Sequence, residues 1–270
     1  MFYMKNLPTF VEKPGSVLKM CSRCNKITIM GIVNLTPDSF YSGSRTAFID
    51  FLPKVQGMFA DGADVVDIGA CSTRPGAPQP SLEEEWARLE PALKQLAGDG
   101  RVSIDTYRPE IVRRVYGIVG PFIVNDVGGG STEMLETVGR LGLPYIAMHG
   151  RKPEGDVIKD ILDFFRGFAI KAEDAGIKEW ILDPGFGFGK DIDENYEILN
   201  RLDELKAAGR EILVGISRKS MIYKKLGITP EEAMPQTLVL ERVALEKGAS
   251  WLRVHDVKET AQMVRDYSTM

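Results

Sequence analysis

Short apolar runs rich in β-branched residues alternate with longer amphipathic stretches along almost the whole chain. This alternation limits the fold more than any other feature. The runs are ITIMGIV (27–33), DVVDIG (64–69), RVSID (101–105), FIVND (122–126), PYIAMH (144–149), WILD (180–183), EILVGIS (211–217) and WLRVH (251–255). Several are apolar nearly throughout, the pattern of strands buried on both faces in a parallel sheet covered by helices. The intervening stretches carry helical spacing. In residues 156–176, Ile158, Ile161, Leu162, Phe165 and Phe168 fall on one face. In residues 81–97, Ser81 with Glu84 forms a capping-box pattern, so a helix is predicted to start just after Ser81.

Eight strand–helix units in roughly 250 residues predict an α/β fold, a (β/α)8 TIM barrel in a single domain. A doubly wound sheet is the competing architecture, and it usually carries a glycine fingerprint after its first strand. Here the first strand is followed by NLTPDSF (34–40), which has no glycine. GFGFG (185–189) comes late and has the wrong spacing, so it reads as a tight loop. Residues 27–270 are assigned to the barrel. Residues 1–26 form a short N-terminal extension, expected to make a small β-element across the barrel bottom.

Charge and hydropathy narrow the function. The 270 residues carry a net charge of −4 with no basic block, which argues against nucleic acid as a partner. No apolar run approaches the ~18 residues of a membrane span. The first residues, MFYMKNLPTFVEKPGSVLKM, lack the apolar stretch of a signal peptide, so the expected location is the cytoplasm. Cys21 and Cys24 make a C-x-x-C without a second ligand pair, and they read as two reduced thiols.

In a barrel of this kind the functional face is built at the C-terminal ends of the strands. Those ends are polar here: Asn34, Asp105, Asn125 with Asp126, His149, Asp183, Ser217 with Arg218 and Lys219, and Arg253 with His255 and Asp256. One Asp or Asn at a strand end is ordinarily a helix cap. Eight strands converging on one mouth, seven of them ending in such groups, point to a site. Asp105, Asn125 and Asp183 suit a flat heterocycle with several N–H donors. Lys219, Arg253 and His255 suit phosphate oxygens or a keto group. Asn34 offers a neutral oxygen that could ligate Mg2+ beside a phosphate. The expectation is a site with one half for a nitrogen heterocycle and one half for an anion, with the reaction left open.

The segments MGIVNLTPDSF, GADVVDIGACSTRPGA, SIDTYRPE, IVNDVGGG, ILDPGFGFGK, GISRKSMI and LRVHDV resemble, in order, the motifs of the dihydropteroate synthase family. The resemblance runs from about Ile27 to the C-terminus. It implies condensation of 4-aminobenzoate with (7,8-dihydropterin-6-yl)methyl diphosphate, giving 7,8-dihydropteroate and diphosphate, through a carbocation-like displacement. Asp105, Asn125, Asp183, Lys219, Met148 and Gly215 would then hold the pterin. Thr73, Arg74, Arg253 and His255 would hold the diphosphate, with Asn34 on Mg2+. Phe40, Thr73, Pro75, Phe188, Lys219 and Ser220 would form the aminobenzoate site. Asp105, Lys219 and Asn34 would be the catalytic set. The resemblance further implies a sulfonamide target and a homodimer, formed through helices opposite the active face. Departures from the family pattern fall at Cys71, at Gly128 and in the MHGRKPEG segment. The competing readings are a pterin-dependent methyltransferase domain and a non-catalytic pterin-binding paralogue.

Overall fold

The structure, a computed structural model, describes residues 26–35, 50–71 and 79–269. The N-terminal extension with Cys21 and Cys24, Phe40 in the first loop, and Thr73, Arg74 and Pro75 in the second lie outside the described residues. Eight strands run β1 Thr28–Asn34, β2 Val65–Gly69, β3 Val102–Asp105, β4 Ile123–Asp126, β5 Tyr145–Met148, β6 Trp180–Asp183, β7 Leu213–Val214 and β8 Trp251–Val254. Every ladder is parallel, in the order β6-β5-β4-β3-β2-β1-β8-β7. A parallel bridge from Leu182 to Ile212 joins the two edges, so the sheet closes on itself as the expected barrel.

The outer layer comprises α1 Phe51–Asp61, α2 Leu82–Leu93, α3 Pro109–Val119, α4 Thr132–Leu141, α5 Val157–Asp174, α6 Ile192–Asn200, α7 Ser220–Leu226, α8 Met234–Glu246 and α9 Val257–Ser268. The capping box at α2 forms as the sequence predicts. Ser81 Oγ accepts from Glu84 N–H at 3.2 Å, and Glu84 Oε2 accepts from Ser81 N–H at 2.7 Å. In α5 the predicted face is turned inward, with Ile158, Ile161, Phe165 and Phe168 buried. No helix among the described residues is long and apolar enough to cross a membrane.

Two apolar regions build the core. The larger lies between strands and helices. The smaller fills the barrel, with Met30, Val65, Ile123, Ile146, Ile181, Leu213 and Trp251, one residue from each of seven strands. Strand side chains alternate faces, so the residue two positions further along each strand also points inward, one layer nearer the C-terminal mouth. That layer reads Ile32, Asp67, Asn125, Met148, Asp183, Gly215 and Arg253, with Asp105 contributed by β3. The fold therefore sets a polar layer directly on an apolar plug.

Candidate active site

Asp67 is the hub of this layer. Buried on β2, it accepts from Ser103 Oγ at 2.6 Å, from Asn125 Nδ2 at 3.0 Å and from Arg253 Nε at 2.7 Å. The same guanidinium reaches Asp105 Oδ2 at 2.9 Å. Two buried carboxylates thus share one cation. Burial raises the Asp105 carboxyl to about 7, and the negative Asp67 adds to the rise, while Arg253 opposes it. Arg253, expected in the anion half, also reaches the carboxylates of the heterocycle half, so the two halves meet at this guanidinium. Its place on β8, two residues above Trp251, points it into the barrel.

Across the mouth, Asp183 Oδ1 accepts from the Gly185 N–H at 2.8 Å, and Oδ2 has no protein partner among the described residues. Burial raises this carboxyl, and Lys219 opposes the rise. Lys219 donates to Phe186 O, and its ammonium stands 4.7 Å from the centre of the Phe188 ring. Burial lowers its pKa to about 8. Met148 is buried at the end of β5, in register with Asp183. Gly215 keeps a small inner wall, where an added Cβ would lie 3.7 Å from Arg253 Cβ. Ser220 opens α7, and Asn34 closes β1 half-buried, beside Gly69. His255 is exposed, with Nδ1 3.2 Å from Ser217 Oγ. Lost hydration on its packed side, with Arg253 adjacent, lowers its pKa.

The GFGFG segment is the tight loop that the sequence predicts, and its glycines have a local cause. Gly185, Gly187 and Gly189 all lie at positive φ, and a Cβ on Gly185 would fall 2.2 Å from His149 O. Lys190 pins the loop from below, donating to His149 O at 2.8 Å, Gly185 O at 3.1 Å and Phe188 O at 2.9 Å.

Two polar strand ends that were expected at the mouth turn away from it. Asp126 accepts from the N–H groups of Gly128 and Gly130, and from the Tyr145 hydroxyl, shaping its own loop. His149 is buried against α5, with Nε2 2.9 Å from Asp160 Oδ2. Each is one residue beyond an inward position, so strand alternation sends it to the helix layer. Cys71 is likewise structural. Its thiol, raised to about 12 by burial with Glu85 contributing, lies 3.8 Å from an Arg108 nitrogen. Asp67 and Lys190 are the site residues that sequence reasoning missed. Asp67 stands two residues after Val65 in strand parity, and that was the available signal.

The sequence profile of the pterin binding enzyme family matches residues 30–255. Dihydropteroate synthase from Escherichia coli (strain K12) is 39% identical over 252 residues, covering 88% of this chain and 89% of that one. The Streptococcus pyogenes dihydropteroate synthase is 40% identical over 248 residues, covering 87% and 92%. Among solved structures, a clostridial dihydropteroate synthase (C. difficile) determined in the presence of pteroic acid superposes with a TM-score of 0.85 at 35% identity, covering 90% of this chain and 96% of that one. The Xanthomonas albilineans enzyme with 4-aminobenzoic acid gives 0.84 at 35% identity, covering 90% and 93%.

Proposed function

Because the chain belongs to the dihydropteroate synthase family of pterin-binding transferases, we propose that its barrel mouth joins 4-aminobenzoate to the methylene carbon of a dihydropterin diphosphate. The observation that carries the reading is the polar layer on the apolar plug, in which Asp105, Asn125 and Asp183 face one space with Arg253 and Lys219. The open Asp183 oxygen suits the amino and ring N–H groups of a pterin. The Asn125 amide, fixed by Asp67, suits a ring that both donates and accepts.

In the reaction the bond from the methylene carbon to the diphosphate oxygen breaks, and a bond to the arylamine nitrogen forms. The arylamine then loses a proton. Ionised Asp105 stabilises positive charge developing on the pterin methylene. Lys219 and Phe188 flank the approach of the arylamine, with Ser220 at the start of α7. Arg253 and His255 offer N–H donors to the departing diphosphate. An arylamine is already a competent nucleophile, so no activating base triad is needed.

Among the described residues no cluster of three His, Cys, Asp or Glu side chains could hold a metal alone. Asn34, half-buried at the end of β1, would offer its side-chain oxygen to Mg2+ together with substrate phosphate oxygens and water, the usual preference of this ion. Its chemistry there would be neutralisation of the leaving group. A homodimer belongs to the same reading, and exposed Ile170, Leu226 and Val239 on the outer helices supply apolar surface for it.

The test is Asp183→Asn. An amide would present a donor to the pterin's donors, and losing one charge-assisted hydrogen bond costs about 1.5–3 kcal/mol. Calorimetry with a pterin lacking the diphosphate should show affinity reduced at least tenfold. Unchanged affinity would remove Asp183 from the pterin site.

A further inference from the structure

Arg218 touches none of the groups assigned to substrate, yet its backbone and side chain are held more tightly than a surface arginine requires. It is the one non-glycine residue at positive φ among the described residues, at φ 54. There a side chain crowds the following carbonyl, and glycine or asparagine is the usual occupant. The conformation belongs to a turn from Ile216 to Lys219, closed by the Lys219 N–H donating to Ile216 O at 3.1 Å. A turn with positive φ at its third residue favours glycine. Here the strain is resisted from several sides. The Arg218 N–H donates to the buried Thr237 Oγ1 at 3.2 Å. Its guanidinium grips Asp256 at both oxygens, at 2.8 and 2.6 Å, and donates to Glu231 O at 3.2 Å.

These contacts join two strand ends that carry different parts of the site. Lys219 follows Arg218 in the turn after β7. Asp256 follows His255 after β8, and the His255 N–H donates to Ser217 Oγ at 3.1 Å. Asp256 makes no side-chain cap on α9, so its carboxylate is committed to Arg218. Backbone strain retained beside a site is a recognised sign that the surroundings enforce a geometry the function needs.

We propose that Arg218 is a positioning residue: its ion pair with Asp256 holds the strained turn, sets Lys219 against Phe186 O and the Phe188 ring, and couples the placement of Lys219 to that of His255. The inference rests on the reading of this mouth as the pterin and aminobenzoate site. It assigns Arg218 to assembly of the aminobenzoate side, while the pterin floor on β3, β4 and β6 stands without it.

A double-mutant cycle with Arg218→Ala, Asp256→Asn and the combined variant tests this. Each single change should lower kcat/KM for 4-aminobenzoate at least tenfold. The double variant should be within about threefold of the worse single one, because both remove one shared interaction. Affinity for a pterin without diphosphate should stay within about twofold, which a loss of folding would not permit. Asp256→Asn keeps shape and makes no cap to lose, so it decides the question if Arg218→Ala folds poorly. Titration of a sulfonamide in the presence of pterin and Mg2+-diphosphate gives the same comparison without turnover. A wild-type chain that makes no dihydropteroate would count against the reaction, and the titration would then decide the role of Arg218. Single variants within twofold of wild type, or losses that multiply in the double variant, would overturn the proposal.

Discussion

At the scale of single residues, the site is governed by three charges in a space that can neutralise only two of them. Burial holds the Asp105 carboxyl up at about 7, where the shared Arg253 opposes the rise and Asp67 adds to it. If ionised Asp105 is needed for chemistry, kcat/KM should rise with pH through about 7, and protonated Lys219 should impose a fall near 8. Asp67→Asn tests the cause. It removes the carboxylate that pushes Asp105 up and leaves Arg253 to Asp105 alone, and both changes lower the Asp105 value. The acid limb of the pH profile should therefore move down by at least about one unit. A limb that stays at 7 or moves up would contradict the sharing. Most of the site's residue types were legible in the sequence because they stand at strand ends. Asp67 stands earlier in an otherwise apolar strand, where no strand-end position marks it. Its partner Arg253 is 186 residues away in sequence, a juxtaposition that only closure of the barrel creates.

At the scale of elements, local patterns predict helices well when local chemistry builds them, as at Ser81 and Glu84. They fail where packing decides. The seventh strand was expected over residues 211–217, and its ladder covers only Leu213–Val214, because the chain there bends into the Arg218 turn. Gly139 shows how tertiary contact reverses a propensity. Glycine within a helix ordinarily costs about 1 kcal/mol relative to alanine. A Cβ at Gly139 on α4 would lie 1.7 Å from the Ala175 carbonyl oxygen at the end of α5. Gly139→Ala should thus destabilise by about 2 kcal/mol or more in urea unfolding. A stabilised variant would show that the two helices can separate freely. Between α8 and α9, buried Glu241 accepts from Thr260 Oγ1 at 3.0 Å, and its other oxygen has no partner among the described residues. Burial raises its value to about 8. An unfolded carboxylate titrates near 4.3, so between about pH 4.5 and 8 the folded chain holds a proton the unfolded chain lacks. Stability is lost as pH rises through that window. Glu241→Gln should remove that loss, gaining on the order of 2 kcal/mol over wild type at pH 8 and little at pH 5. Equal gains at both pH values would place the effect elsewhere than in titration.

At the scale of the whole molecule, the barrel was legible because eight buried strands separated by amphipathic helices leave few alternatives. Its interior layering was not, since stacking of one residue from each strand depends on register between strands. That register sets Met30, Val65, Ile123, Ile146, Ile181, Leu213 and Trp251 as a plug and the polar set above it. The architecture explains how a single mouth can hold a flat heterocycle deep and a second substrate above it. The central claim is that this mouth condenses the two. The direct measurement is quantification of dihydropteroate and released diphosphate when the purified chain meets the dihydropterin diphosphate, Mg2+ and 4-aminobenzoate. The account predicts both products in equal amounts, each dependent on 4-aminobenzoate. Binding of the pterin without either product, or diphosphate release indifferent to 4-aminobenzoate, would contradict it.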